Sequence, residues 1–362
     1  MPGEPLRELD ELFRSLPDVR AQTLPLIEVL EREVTALVDG HRAGRPAIAE
    51  LVRLHAPWPA PQRRADDDRI FGHALSLDEA RAAIASLHRF ATWADVVSAG
   101  DRAVDLNFER AADAIVSGDA RALRELVARV PALARARSPY RHRSTLLHYV
   151  AANGVEEVRQ WQSPPNAAEI AHILLEAGAD PDATCPCYGE DDTPMGLLVT
   201  SGHPAVAGVQ AALVEVLCAA GANPNGRDED DAPLWAASTF GYTTAVDALV
   251  RCGARLDNLV LAAAAGDLAA VQTHFDETGR RKPMASWGSA RIPGKALNVH
   301  HVLEYALIKA AMHGRGAVVE FLLTKNPDLT VHEPNWNNTA LSAARWAKHA
   351  DVVALLEAHA QQ

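Results

Sequence analysis

Few side chains in this sequence stand where chemistry could be done. Cys185 and Cys187 flank Pro186 in TCPCYGEDDTP (184–194), beside Tyr188, Glu190, Asp191 and Asp192. Two thiolates one residue apart can share a soft metal, but a structural zinc site needs four ligands, usually with the cysteines in C-x₂₋₄-C pairs. Cys218 and Cys252 read as small apolar residues near helix ends. No metal is therefore expected, and the C-x-C is a thiol pair, either reactive or inert. The acidic runs Glu190–Asp192 and Asp228–Asp231 mark loop tips. Such carboxylates steer a basic partner. Once buried and raised in pKa they serve as acids or bases, although turns favour Asp in any case. In HFDETGRRKPMASWGSARIPGKALNVHHVLEY (274–305), His300 and His301 stand beside Glu304 and Tyr305, with Trp287, Arg280, Arg281, Lys282, Arg291 and Lys295 in the same stretch. The acid/base candidates are thus Asp192, Asp231, His301 and Glu304, with Tyr149 and Arg291 to orient a substrate. No nucleophile elbow, glycine-rich phosphate loop or H-E-x-x-H motif is present, and no cofactor is expected.

The elements that must position these residues belong to a globular chain. Its 362 residues are 48% apolar and 23% charged, an ordinary folded composition. With 47 acidic against 35 basic side chains the net charge is −12. That leaves no basic field to displace counterions from phosphates and argues against nucleic acid as a partner. The longest apolar runs, such as LVLAAAAG (259–266), fall well short of the roughly 20 residues that span a bilayer. The opening MPGEPLRELDELF is acidic and lacks the basic-then-apolar pattern of a secretion signal. Four cysteines make no disulfide framework. The expectation is a soluble, cytoplasmic, monomeric protein.

Internal repeats set the architecture. STLLHYVAANG (144–154), DTPMGLLVTSG (192–202), DAPLWAASTFG (231–241) and NTALSAARWAKH (338–349) repeat one phrase. Each is followed by a second apolar helix and a closing phrase: HILLEAGADPDA, EVLCAAGANPNG, DALVRCGARLDN and VVEFLLTKNPDLT. Thr193 suits a helix cap and Pro194 the first helical position. Glycines 154, 202, 241, 266 and 314 end first helices where a left-handed turn is needed. The chain resembles the ankyrin repeat family, whose unit is about 33 residues with a T-P-L-H-x-A start. The resemblance covers roughly 107–360 and implies an all-α ankyrin-repeat solenoid of about seven helix pairs with hairpin-like loops, beginning near Asn107, Thr145, Thr193, Ala232, Leu259, Leu303 and Thr339.

Residues 1–106 are expected to form an N-terminal helical extension or cap, with helices at 5–16, 22–43 and 47–55 and a Ser76–Glu79 capping box. Its SLDEARAAIASLHRFATWADVVSAGD phrase is similar to a helical segment that precedes the array in many bacterial ankyrin proteins. Residues 107–362 are the repeat domain, with a long insertion near 276–302.

The family resemblance implies a binding scaffold engaging a protein or peptide on its concave face. It also implies that His148 makes a structural hydrogen bond between adjacent loops. Tyr149, Trp235, Trp287, Tyr305 and Trp336 fall at concave positions, and together with Tyr188 and Arg291 they are the expected ligand- or partner-binding residues. The alternative is a cofactor-independent enzyme of isomerase, cyclase or hydratase type, acting on a small apolar molecule in the same groove under the 276–302 insertion. Scarce aromatics, 5% of the chain, collected on one face suit either an apolar ligand or a peptide.

Overall fold

The computed structural model describes residues 23–59, 64–151, 155, 156, 159, 162–187, 191–227, 229–282 and 298–361. By its contacts the chain divides into two compact units, Met1–Leu197 with Ser201–Val209, and Leu198–Thr200 with Gln210–Gln362.

The first unit starts from a short antiparallel pair, β1 (Thr23–Pro25) and β2 (Ala103–Asp105), in which Leu24 pairs with Val104. Between the strands lie α1 (Leu26–Arg42), α2 (Pro46–His55), α3 (Asp67–Gly72), α4 (Leu77–Leu87) and α5 (Trp93–Ser98). Leu26, Val29, Leu30, Val34 and Leu37 of α1 are buried at the three-and-four spacing of one helical face. They share a core with Ile48, Leu51 and Val52 of α2, Ala83, Ile84 and Leu87 of α4, and Trp58, Ile70 and Phe90. Ser76 and Glu79 bond reciprocally at the start of α4, the capping box that the S-x-x-E spacing predicts. The helix expected over 5–16 lies outside the described residues.

Helix pairs follow. They are α6 (Leu106–Ser117) with α7 (Ala120–Arg129), and α8 (Leu146–Ala151) with α9 (Ala167–Glu176); α10 (Pro194–Leu198), the short α11 (Gly202–Val206) and α12 (Gln210–Ala219) follow in the chain. Next come α13 (Ala232–Phe240) with α14 (Thr243–Arg251), α15 (Leu259–Ala265) with α16 (Leu268–Thr273), α17 (Val302–Met312) with α18 (Gly316–Leu323), and α19 (Ala340–Trp346) with α20 (Ala350–Ala360). Each first helix begins beside the position that the repeated phrases predict. The hydroxyl of Thr193 accepts from Gly196 N, and Gly241 closes α13 at φ +75°, a conformation that costs only glycine nothing. Gly154 lies outside the described residues. In the first unit, Thr145 N donates to His148 Nδ1 at 3.2 Å, and the opposite ring nitrogen donates to Asp192 O at 3.2 Å. One imidazole thus ties two successive loop bases together.

In the second unit the first helices α13, α15, α17 and α19 stack in order, and α16, α18 and α20 do the same. The packing is closer than an open face allows. Leu259–Ala264 of α15 and Tyr305–Met312 of α17 are buried throughout. The helix α13 reaches past α15 to α17, where Lys309 Nζ and His313 Nε2 both donate to Ser238 O. The run of alanines in α15 makes this possible, because small side chains let helix axes approach closely.

Candidate functional site

Tyr149 leads to a group of buried titratable side chains in the first unit. It is buried on α8 and donates its hydroxyl to Glu156 Oε1. Its ring meets Phe108 edge-on at 6.0 Å, with the Arg159 guanidinium 5.8 Å from its centroid. Arg159 binds Glu109 of α6 and lies 3.3 Å from both Asp113 and Glu156. Three carboxylates therefore share one guanidinium inside the fold. Burial pushes Glu109 up to about 7, helped by the neighbouring charge of Glu156 and opposed by Arg159. Burial also pushes on Glu156, but Arg159 and the hydrogen bonds from His142 and Tyr149 outweigh it and hold Glu156 at about 2.

The group continues through aromatic rings. His142 Nε2 is 3.3 Å from Glu156. Tyr140 stacks between His142 and His88 at 5.9 and 4.7 Å, and His88 pairs with Glu33 at 2.6 Å. Burial lowers His88, but the Glu33 carboxylate more than reverses this and the net shift is upward; His142 is lowered by its burial. Two carboxylates whose surroundings drive their pKa values apart are the arrangement that acid/base catalysts use. Of this group the sequence reading found only Tyr149. Glu109 and Arg159 are 50 residues apart and look like ordinary helix-surface charges.

Asp192 lies in the same unit and acts through its backbone. It pairs with Cys185 in both directions at 2.9 Å and accepts from His148. The thiols of Cys185 and Cys187 are in contact at 2.6 Å, and the Ser144 hydroxyl is 3.3 Å from Cys187 Sγ. Among the described residues no group of three or more His, Cys, Asp or Glu side chains is placed to hold a metal ion. Tyr188 lies outside the described residues.

In the second unit, Asp231 precedes α13 at φ +61° and accepts from Arg255, which also holds Glu229. Burial raises its pKa and the guanidinium opposes this, so the carboxylate sits in an ion pair. His301 Nδ1 is 3.9 Å from Glu304, one of whose oxygens accepts from Asp328 N. Trp235 and Tyr305 are buried, at 5% and 6% exposure. Like Tyr149, they present no open surface to a partner, because the first helices pack on one another. Trp287 and Arg291 lie outside the described residues.

Trp336 is different: it is 52% exposed, its indole N–H donates to Thr239 O at 2.8 Å, and its ring meets Phe240 at 5.7 Å. Phe240 stacks with Tyr242 at 5.9 Å. Trp346, 63% exposed, lies against Gly241. A Cβ built on Gly241 would meet the Trp346 ring at 2.9 Å and Met312 Sδ at 3.5 Å. Trp346 carried no signal in the sequence, because it stands at the end of a repeat phrase rather than at a loop or concave position.

No protein-family model matches the chain, and no curated protein does. Among solved structures the chain is similar to the human ASB11 ankyrin repeat domain, with 17% identity over 68% of this chain and 96% of that one, at a TM-score of 0.36. What decides the fold is the chain's own geometry: successive short helix pairs, four of whose first helices close on the left-handed glycines Gly118, Gly241, Gly266 and Gly314, and the His148 bridge between loop bases. The chain has an ankyrin-repeat-like fold. Its ankyrin-like repeats carry two features that a bare scaffold does not need: the buried carboxylate group around Arg159 and the exposed aromatic ledge around Gly241.

Proposed function

We propose that the chain is an ankyrin-type binding scaffold whose partner is a protein or peptide seated on the ledge of Phe240, Tyr242, Trp336 and Trp346. One observation carries this reading: two half-exposed tryptophans converge on a single glycine turn. Aromatic residues, Met and Arg are enriched at interface cores, and Trp and Tyr are among the residues enriched in hot spots. The net charge of −12 speeds encounter with a basic partner. The ledge replaces the expected concave anchors Tyr149, Trp235 and Tyr305, which are spent on packing. Trp336 remains from that set.

The test is affinity isolation from the source cells with the full chain, followed by titration of the purified partner against wild type, Trp336→Ala and Trp346→Ala. Each substitution should weaken binding by about 10- to 30-fold, the hot-spot range, with an unchanged circular dichroism spectrum. A partner that binds the double variant as tightly as wild type refutes the ledge.

A second reading, acid/base catalysis without a cofactor, is favoured by the Glu109–Glu156 pair beside Tyr149. Under it the reacting groups are these rather than Asp192, Asp231, His301 and Glu304. Mass spectrometry of a cell metabolite extract incubated with wild type or Glu109→Gln tests it. A turnover common to both proteins removes Glu109 from the mechanism.

A further inference from the structure

Neither functional reading uses Cys185 and Cys187, yet the fold brings them into contact and holds them there. Cys187 N donates to Cys185 O at 2.9 Å, closing a three-residue turn with Pro186 at its centre. Such a turn needs a central φ near about −75°, and proline fixes its own at about −65°. The chain doubles back over these three residues, and the two sulfurs meet at 2.6 Å.

Each cysteine is also anchored from outside the turn. Cys185 pairs with Asp192 in both backbone directions at 2.9 Å, and Asp192 O is the carbonyl that His148 reaches. Cys187 Sγ lies 3.3 Å from the hydroxyl of Ser144, a fully buried residue at the head of the preceding repeat phrase. The usual obstacle to a disulfide, backbone that must move before the sulfurs can bond, is therefore removed by the fold itself. Among the described residues no third His, Cys, Asp or Glu joins the pair as a metal-holding group.

The two thiols are not equivalent. Hydrogen bonds from Cys185 and Ser144 hold Cys187 below the usual thiol range against its burial, while the same contact with Cys187, helped by burial, raises Cys185. One proton between two sulfurs leaves the charge on Cys187, which is also the more exposed of the two, 5% against 0%. The thiolate is the sulfur nucleophile, and a cysteine buried alone among apolar groups is inert. Cys187 is not in that position, because a hydroxyl and a second thiol both face its sulfur.

We propose that Cys185 and Cys187 form an oxidisable dithiol that a hydroperoxide converts to an intramolecular disulfide, with Cys187 as the attacking thiolate and Cys185 as the resolving thiol. In the first step Cys187 Sγ attacks one peroxide oxygen; the O–O bond breaks, a sulfenic acid forms, and the departing hydroxide takes a proton to become water. In the second, Cys185 Sγ attacks Cys187 Sγ; the S–S bond forms, the S–O bond breaks, and the hydroxide leaves as water with the Cys185 proton. Two thiols lose two electrons and two protons, and one hydrogen peroxide becomes two waters. A small dithiol reverses the change by thiol–disulfide exchange. The proposal stands apart from the aromatic ledge and from the Glu109 group, and neither is needed for it.

The test treats the folded, reduced full chain with hydrogen peroxide in the presence of a chelator. The protein is then denatured, alkylated with iodoacetamide and digested for mass spectrometry. The peptide carrying both cysteines should be lighter by two hydrogen atoms and take up no alkyl group, and dithiothreitol should restore both alkylation sites. Cys218 and Cys252 in the same digest serve as the reference and should stay alkylatable. In Cys185→Ser the reaction should stop at the Cys187 sulfenic acid, trapped as a dimedone adduct; in Cys187→Ser no adduct should form on Cys185. The wild-type masses decide the matter even where a serine variant folds poorly. Full alkylation of both cysteines after peroxide, oxidation only in the denatured chain, a bond from either cysteine to Cys218 or Cys252, or a dimedone adduct on Cys185 in place of Cys187 overturns the proposal.

Discussion

Replacing Glu109 by Gln should make the first unit more stable as the pH rises, and the size of the effect follows from the geometry. Glu109 is 1% exposed and shares Arg159 with Asp113 and Glu156. Its proton is held at about 7 rather than the ordinary 4.5. With about 1.4 kcal/mol for each tenfold change in proton affinity, the folded state holds that proton more tightly than the unfolded chain by about 3 kcal/mol. A carboxylate raised on folding contributes stability in full below its unfolded value, and the contribution is lost as pH rises through the folded value. Wild type should therefore lose up to about 3 kcal/mol relative to Glu109→Gln between pH 4.5 and 8, most of it before pH 7. Gln is nearly isosteric with the protonated acid, so the two proteins should agree at the acidic end. Urea titrations at half-unit pH intervals measure the difference. Native-state hydrogen exchange of the α6 amides assigns it to the first unit. Parallel profiles, within about 0.5 kcal/mol across this range, would show that Glu109 is ionised throughout and that Arg159 alone suffices for all three carboxylates.

Two further substitutions probe the repeat geometry. His148→Ala removes both links between the loop bases, to Thr145 N and Asp192 O. It should cost about 1–3 kcal/mol, the price of leaving buried groups unbonded, seen as an earlier urea midpoint; a midpoint equal to wild type would count against the bridge. Gly241→Ala forces a side chain into φ +75° and within 2.9 Å of the Trp346 ring. It should destabilise by about 1–2 kcal/mol and displace Trp346, read as a change in tryptophan fluorescence; an unaltered emission spectrum would show that the two residues do not touch.

The helix pairs were legible because they are written in local grammar. Caps such as Ser76, Thr193 and Thr339, and glycines such as Gly241 and Gly266, declare ends without knowledge of tertiary contacts. The roles of Tyr149, Trp235 and Tyr305 were not legible in that way. Whether a first-helix aromatic lines a groove or fills a core depends on how closely successive helices approach, and the alanines of α15 bring them closer than the family phrase implies. Trp336 was expected as a concave aromatic and is indeed exposed, whereas Trp346 needed Gly241 from another repeat to become part of a surface. Lys309 and Glu109 gave no sign at all. Each is an unremarked charge in an amphipathic run, and only burial against distant residues, Ser238 for one and Arg159 for the other, distinguishes them.

The short β1–β2 pair has a kinetic consequence. It joins Leu24 to Val104 across about 80 residues, a closure whose entropic cost grows with the logarithm of the loop. The helices α1 to α5 lie inside that loop, while the later repeats are held by contacts between neighbours in the chain. Chains rich in near-neighbour contacts organise quickly, and those that must close long loops do so slowly. The contacts among α13 to α20 join neighbours in the chain and need no such closure, so the β1–β2 pair is expected to form more slowly than they do.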